Sequence, residues 1–249
     1  MRKLVLIILF TFLCRPAFGI WSDYKLLLHC NGADESVVFT DASVAAHGNA
    51  TVAGSAQVDT AQKKWGTGSL LLDGTGDYLT YADHADWDIS TDWTLDLWIK
   101  YNSVSNSFMV EHYESNNDRW SLAYWDGRLS FCMPSGGNYI VNLSGGTISD
   151  NDWHHVCVVR KAGQYWGMYL DGTQVAYTND TSMDTFAGNL YIGTWGGGGY
   201  SVNGYMDEIR IQHSNYFEAA PVVGLTDTIT VPTKEYAEPS YLNPIINNF

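Results

Sequence analysis

Several groups of residues in this 249-residue chain are of types that could do chemistry. One is Glu111-His112-Tyr113-Glu114, whose two carboxylates would suit acid–base work. Glycoside hydrolysis needs two carboxyls facing one bond, whereas residues three apart on a strand point to opposite faces. A second group is His154-His155. Adjacent strand residues also diverge, so these two cannot share one ion without a distorted backbone. A third is Asp73 and Asp77, which bracket the turn Gly74-Thr75-Gly76. Such carboxylates either ligate calcium or accept bonds from the turn's own amides, and both readings stand. The remaining group is aromatic. Trp195 and Tyr200 flank Gly196 to Gly199, Tyr113 precedes Asn116, Asn117 and Asp118, and Tyr139 follows Asn138. Rings stack on pyranose faces while amides and carboxylates bond hydroxyls, which makes Trp195, Tyr200, Tyr113, Asn117 and Tyr139 the candidate sugar contacts. For Trp195 the competing reading is an edge aromatic covering the end of a sheet. No Gly-x-Ser-x-Gly nucleophile elbow occurs, and Cys30, Cys132 and Cys157 lack the spacing of a zinc site.

Any of these side chains would be positioned by strands. Apolar residues recur at a spacing of two from Tyr24 onward, broken at short intervals by turn residues, with no sustained helical period. In the clearest strand, residues 93–101, Trp93, Leu95, Leu97, Ile99 and Tyr101 point one way and Thr94, Asp96, Trp98 and Lys100 the other. Asp126-Gly127 and Asp171-Gly172 mark two hairpins, because both central residues of a type I′ turn need positive φ. Further strands are expected at 25–30, 69–72, 77–81, 108–112, 139–143, 154–160, 190–194 and 205–212. About a dozen strands in one chain predict a two-sheet antiparallel sandwich.

Composition and the chain ends narrow the function classes. Thirteen Lys and Arg against 27 Asp and Glu leave a net charge of −14, which argues against nucleic acid and anionic membrane surfaces as partners. Met1-Arg2-Lys3, the apolar stretch Leu4 to Leu13 and then Ala17-Phe18-Gly19 have the layout of a secretory signal peptide cut after Gly19. That stretch is well short of the roughly 20 residues a spanning helix needs, so no membrane insertion is expected. The remainder divides into a β domain over residues 20–220 and an extended tail over 221–249, which holds Pro221, Pro232, Pro239 and Pro244. Whether the tail wraps the domain, links it to a partner or is partly mobile stays open. So does a Cys132–Cys157 bridge against free buried thiols.

The strands also carry a pattern: Lys64-Trp65-Gly66-Thr67-Gly68-Ser69 leading into Leu72-Asp73-Gly74-Thr75-Gly76-Asp77-Tyr78-Leu79, then Trp93-Thr94-Leu95-Asp96-Leu97-Trp98-Ile99, Trp153-His154-His155-Val156, Tyr169-Leu170-Asp171-Gly172 and Gly204-Tyr205-Met206-Asp207-Glu208-Ile209-Arg210-Ile211. In this order the pieces resemble the laminin-G-like, concanavalin A-like jelly-roll family. The opening Leu27-Leu28-His29-Cys30-Asn31-Gly32 is similar to its extracellular bacterial and phage-type branch, although Cys30 stands where an aromatic is usual. The resemblance implies a jelly roll that binds glycans or cell-surface and extracellular proteins, often with calcium. It implies core roles for Trp65, Trp93, Trp98, Trp120 and Trp153, an inward His154, and Asp207 close enough to Asp73 and Asp77 to complete a calcium site, with Glu208 and Asp41 in reserve. Family glucanases carry a Glu-x-Asp-x-x-Glu strand, which this sequence lacks. The expectation is therefore a secreted, non-catalytic recognition module for a polysaccharide or surface glycan. Shallow stacking is weak per site, so several copies, as in a homo-oligomer, would raise avidity. The alternative is a structural or adhesive subunit of an extracellular assembly or virion.

Overall fold

The computed structural model describes residues 23–238. The signal-peptide reading of residues 1–19 and the last part of the tail lie outside them. Fifteen strands follow in order: β1 Tyr24–Leu28, β2 Thr51–Ala53, β3 Gln57–Asp59, β4 Ser69–Asp73, β5 Tyr78–Tyr81, β6 Trp93–Tyr101, β7 Ser107–Ser115, β8 Asp118–Trp125, β9 Arg128–Ser135, β10 Asn138–Gly145, β11 His154–Lys161, β12 Tyr165–Leu170, β13 Thr173–Thr178, β14 Asn189–Ile192 and β15 Asn203–Gln212. They form two antiparallel sheets. The eight-stranded sheet runs β13-β12-β11-β6-β15-β4-β3, with β1 also paired to β15, and the seven-stranded sheet runs β10-β9-β8-β7-β14-β5-β2. This is the expected two-sheet sandwich.

The inward faces interdigitate around Trp93, Trp120, Phe131 and Trp166, with the rings of Trp93 and Trp120 5.3 Å apart and those of Phe131 and Trp166 5.3 Å apart. The five residues of β6 expected to share a face all belong to this core. The hairpin turns are as the sequence predicts, with φ of 51° and 77° at Asp126-Gly127 and 50° and 81° at Asp171-Gly172. Strands β2 and β3 were not expected. Each has three residues, too few to show a period.

Residues 217–236, which include most of the described part of the tail, strap the outer face of the eight-stranded sheet. Ala219 and Ile229 pack on Cys157, Val159 and Tyr169. Pro221 lies so close over Gly167 that a Cβ there would come within 2.6 Å of the proline ring. Further along, Tyr236 donates its hydroxyl hydrogen to Asp96, which also pairs with Arg210 at 2.8 Å and His155 at 3.0 Å. The Arg210 guanidinium lies against the rings of Tyr216 and Tyr236, 3.6 and 3.8 Å from their centroids.

His154 keeps the inward face it shares with Val156 and Val158, at its rim, but the cover buries the opposite face as well. His155 is the fully buried one, facing outward under the strap. His154, at the strand's first position, stays half-buried and bonds Asp171 at 2.7 Å and Asp150 at 2.9 Å. Those carboxylates, Asp171 first, raise its pKa to about 8 against the opposing effect of burial. Trp65 and Trp153 are also only half-buried, outside the core assigned to them. Cys30, Cys132 and Cys157 are free thiols; Cys132 and Cys157 lie on different sheets.

Candidate functional site

Among the described residues, no segment straps the outer face of the seven-stranded sheet. Alternation along β8, β9 and β10 sends Trp120, Leu122, Phe131, Val141 and Leu143 into the core. It turns the shorter or polar Ser121, Ala123, Ser130, Cys132, Asn142 and Ser144 outward. These small side chains leave a groove of about 720 Å3. Its walls are aromatic: Trp195, Tyr200, Phe108 and Trp125 at one side and Tyr139 at the other, with Arg119 and Arg128 among the polar lining.

The rings of the first wall hold one another. Trp125 meets Tyr200 edge-on at 4.9 Å, Trp195 lies 6.0 Å from Tyr200, and Tyr113 stands edge-on behind Trp195 at 6.2 Å. The loop from Trp195 to Tyr200 is folded tightly rather than left free. The Gly198 N–H donates to the Trp195 carbonyl at 2.8 Å, and the Thr194 hydroxyl donates to the Gly199 carbonyl at 3.0 Å. Gly196 is required there because a Cβ would fall within 2.5 Å of the Tyr113 ring.

Glu111 anchors this loop from below. It is fully buried, and its Oε2 accepts the Gly196 N–H at 2.7 Å. Its Oε1 is 3.1 Å from Arg119 Nε, at ion-pair distance but without hydrogen-bond alignment. Arg119 Nη1 donates to the Asn116 carbonyl instead. Burial raises the Glu111 pKa to about 7, outweighing the Gly196 amide, Arg119 and Ser121, which all lower it.

Of the residues expected to contact sugar, Trp195, Tyr200 and Tyr139 line the groove. Tyr113 supports Trp195 and donates its hydroxyl hydrogen to Asn116 at 2.8 Å. Asn117 sits in the β7–β8 turn, where its carbonyl accepts the Gly137 N–H, and Asn116 takes its place in the lining. Sequence reasoning missed Trp125, Arg119 and Asn142. The signal for them was present: Ser121, Ala123, Ser130, Asn142 and Ser144 are small or polar at alternate positions opposite large core residues.

The proposed calcium ligands do not converge. Asp77 Oδ1 accepts the Ser55 N–H at 2.5 Å and its Oδ2 the Asp73 N–H at 2.9 Å, while Asp73 Oδ1 accepts the Thr75 N–H at 2.7 Å. Asp207 lies four residues along β15 from Asn203, the residue opposite Asp73, a separation of about 13 Å. It accepts from the Lys64 and Trp65 amides at 2.8 and 3.0 Å, and burial lifts its pKa to about 8. Of the reserve ligands, Asp41 accepts from the Leu27, Ser43 and His47 amides. Glu208 bonds His29 at 2.7 Å and accepts the Tyr236 N–H at 2.8 Å.

The architecture is a two-sheet jelly roll with one outer sheet face strapped and an aromatic groove on the other. The family model for the concanavalin A-like lectin/glucanases superfamily, of the laminin G type, matches residues 73–216, and the chain belongs to this family. No curated protein matches it by sequence. Among solved structures it is similar to domain 4 of AbnA, an extracellular GH43 arabinanase from Geobacillus stearothermophilus, determined with arabinotriose. That match has a TM-score of 0.61 at 17% identity and covers 77% of this chain and 93% of that one. The binding domain of Paraclostridial Mosquitocidal Protein 1 matches with a TM-score of 0.61 at 13% identity, over 81% of this chain and 54% of that one. The receptor-binding domain of a botulinum neurotoxin C/D mosaic serotype matches at 0.59 and 16%, over 79% and 49%. The chain thus spans about half the length of the two toxin domains, and at these identities the likeness is one of fold. No helix among the described residues is long and apolar enough to cross a membrane.

Proposed function

We propose that this protein is a secreted, non-catalytic recognition module that holds a polysaccharide or surface glycan in the groove of the seven-stranded sheet. The observation that carries the reading is the lining itself: aromatic rings on both walls, with Arg119, Asn142, Ser130 and Ser144 between them. Sugar rings would stack on Trp125, Trp195, Tyr200 or Tyr139, and hydroxyls would bond the amide, hydroxyl and guanidinium groups. The carbohydrate complex of the arabinanase domain supports the class of ligand. A binding role rather than hydrolysis is supported by the state of Glu111. It is turned under the groove, its oxygens facing Gly196 and Arg119, and a glycosidase needs two carboxyls exposed to the scissile bond. The proposed mode of binding makes no use of calcium.

A glycan array probed with residues 20–249 tests this reading, alongside Trp125→Ala and Trp195→Ala. Binding that both substitutions weaken is expected. A blank array from folded protein, or release of sugar from a β-glucan, would overturn it. In the second reading, the chain is a subunit of an extracellular assembly. That reading is favoured by Val222, Val223 and Leu225, which stand exposed side by side on the strap. Light scattering that shows a discrete oligomer, dissociated by Val223→Asp, would support it.

A further inference from the structure

Outside the groove, two imidazoles and a carboxylate converge. His84 and Asp86 belong to the 3-10 turn Ala85–Trp87 and its cap, and His47 reaches them from the loop before β2. His47 Nε2 is 3.1 Å from Asp86 Oδ2, and His84 Nδ1 is 3.3 Å from the same oxygen. The two rings meet edge-on with centroids 4.5 Å apart, and one ligand atom from each of the three residues falls within 4.8 Å of the others. In a tetrahedral site with bonds near 2.1 Å the ligand atoms stand about 3.4 Å apart. The observed nitrogen–oxygen separations therefore lie close to the edges of such a polyhedron.

We propose that His47, His84 and Asp86 bind a divalent transition-metal ion of the zinc class, with water completing its coordination. The donor set selects that class. Two imidazole nitrogens and one carboxylate oxygen suit zinc, nickel or copper, whereas calcium takes six or more oxygens. Surrounding contacts hold the ligands in place, as the outer shell of a metal site must. The His47 ring packs on Trp87 at 4.5 Å, and its backbone N–H donates to Asp41 at 3.0 Å. Trp87 is buried and donates its indole N–H to the Ala82 carbonyl at 2.9 Å. His213 Nε2 lies 3.1 Å from the Asp86 carbonyl. Lys25 Nζ, 3.4 Å from Asp86 Oδ1, engages the other carboxylate oxygen and leaves Oδ2 between the histidines. His84 is 51% exposed, which gives the ion a path of entry. Ligation through His84 Nδ1 displaces the bond it accepts from the Asp86 N–H, a bond made at the protein surface where water can replace it.

The test is calorimetric titration of chelator-treated full chain with zinc and, separately, calcium, followed by copper titration with electron paramagnetic resonance. One zinc per chain, no calcium heat and a copper signal split by two nitrogens are expected. His84→Ala, at an exposed position, should leave the circular dichroism spectrum unchanged and lower the metal-free melting temperature by no more than about 4 °C, the cost of the lost cap bond. It should weaken zinc binding more than about 100-fold, since loss of an outer-shell partner alone costs 10- to 100-fold. His47→Gln should reduce the copper nitrogens to one. Absence of stoichiometric zinc binding would overturn the proposal, as would zinc binding that survives His84→Ala. The second outcome would place the ion elsewhere, for instance at His29, Glu208 and Glu235, another group whose ligand atoms lie within 4.8 Å.

Discussion

Glu111→Gln removes a titration that the fold opposes, and the size of the effect follows from where the residue sits. In the unfolded chain the carboxyl ionises near its ordinary value of 4.5; in the fold, burial under the groove lifts it to about 7. Between those values the folded protein keeps a proton that the unfolded chain has released. Stability from this group is therefore fully present below pH 4.5 and is lost as pH rises through about 7. A shift of roughly 2.5 units corresponds to about 3 kcal/mol. For a body of this size that is about 6 °C in melting temperature. Gln keeps the shape and an acceptor for the Gly196 amide but does not titrate. Other perturbed groups, such as Asp207 and His154, titrate alike in both proteins and cancel in the difference. Thermal unfolding followed by circular dichroism at half-unit steps from pH 4.5 to 8.5 should show the wild type losing about 6 °C relative to Glu111→Gln across the range. A difference that stays flat would refute the claim that burial dominates over Arg119 and the Gly196 amide.

Arg210→Leu should cost about 3–5 kcal/mol in urea unfolding, because it leaves Asp96 charged, buried and short of its main partner; a loss below about 1 kcal/mol would mean that water reaches Asp96. Asp77→Ala should destabilise by about 1–3 kcal/mol through the unpaired Ser55 and Asp73 amides. That loss should be equal in calcium and in chelator, and a calcium-dependent difference would restore the ion to that turn. Trp125→Ala should leave the melting temperature within about 2 °C, since the ring is 38% exposed. Loss of one stacking face should weaken any glycan bound in the groove about tenfold, roughly 1.4 kcal/mol, as read by calorimetry.

The parts of the fold that could be read from sequence are those with enough residues to show a period. β6 alternates over nine residues and the Asp-Gly turns demand their own conformation, so both were legible. β2 and β3 are too short to alternate. The histidine pair shows the limit more sharply. Alternation correctly sends His154 and His155 to opposite faces, but that the outer face is dry as well as the inner one depends on a strap more than sixty residues further along the chain. That strap carries no period because it is not a strand. It attaches by Pro221 over Gly167, by Gln174 bonding the Val222 and Asp227 amides, and by the isolated bridge of Thr173 with Thr228. Glu111 stood out in the sequence beside Glu114, but its place beneath the groove was hidden for a related reason. Nothing in the strand's own sequence shows that the Trp195 loop folds over this carboxylate and donates the Gly196 N–H to it.

The two outer faces explain why a ligand should approach one sheet and not the other. On the eight-stranded sheet the outward positions include Asp96, His155, Gln174 and Arg210, all buried. Bare, these groups would be solvated charges and amides. Covered, they must find partners, and the strap supplies them: Tyr236 for Asp96 and Arg210, Val222 and Asp227 for Gln174. That face is therefore already occupied by the protein's own chain. The corresponding positions on the seven-stranded sheet are small, and the Glu111–Arg119 pair beneath them is served by the Gly196 amide and the Asn116 carbonyl. Among the described residues no segment covers that face, and its rings stand at the rim with apolar surface exposed, Tyr139 at 61% and Tyr200 at 49%. On this face Glu111 Oε1 and Arg119 Nε meet at ion-pair distance without an aligned hydrogen bond, and the rim rings keep apolar surface exposed, so the proposed ligand would gain its contacts here and not on the strapped face.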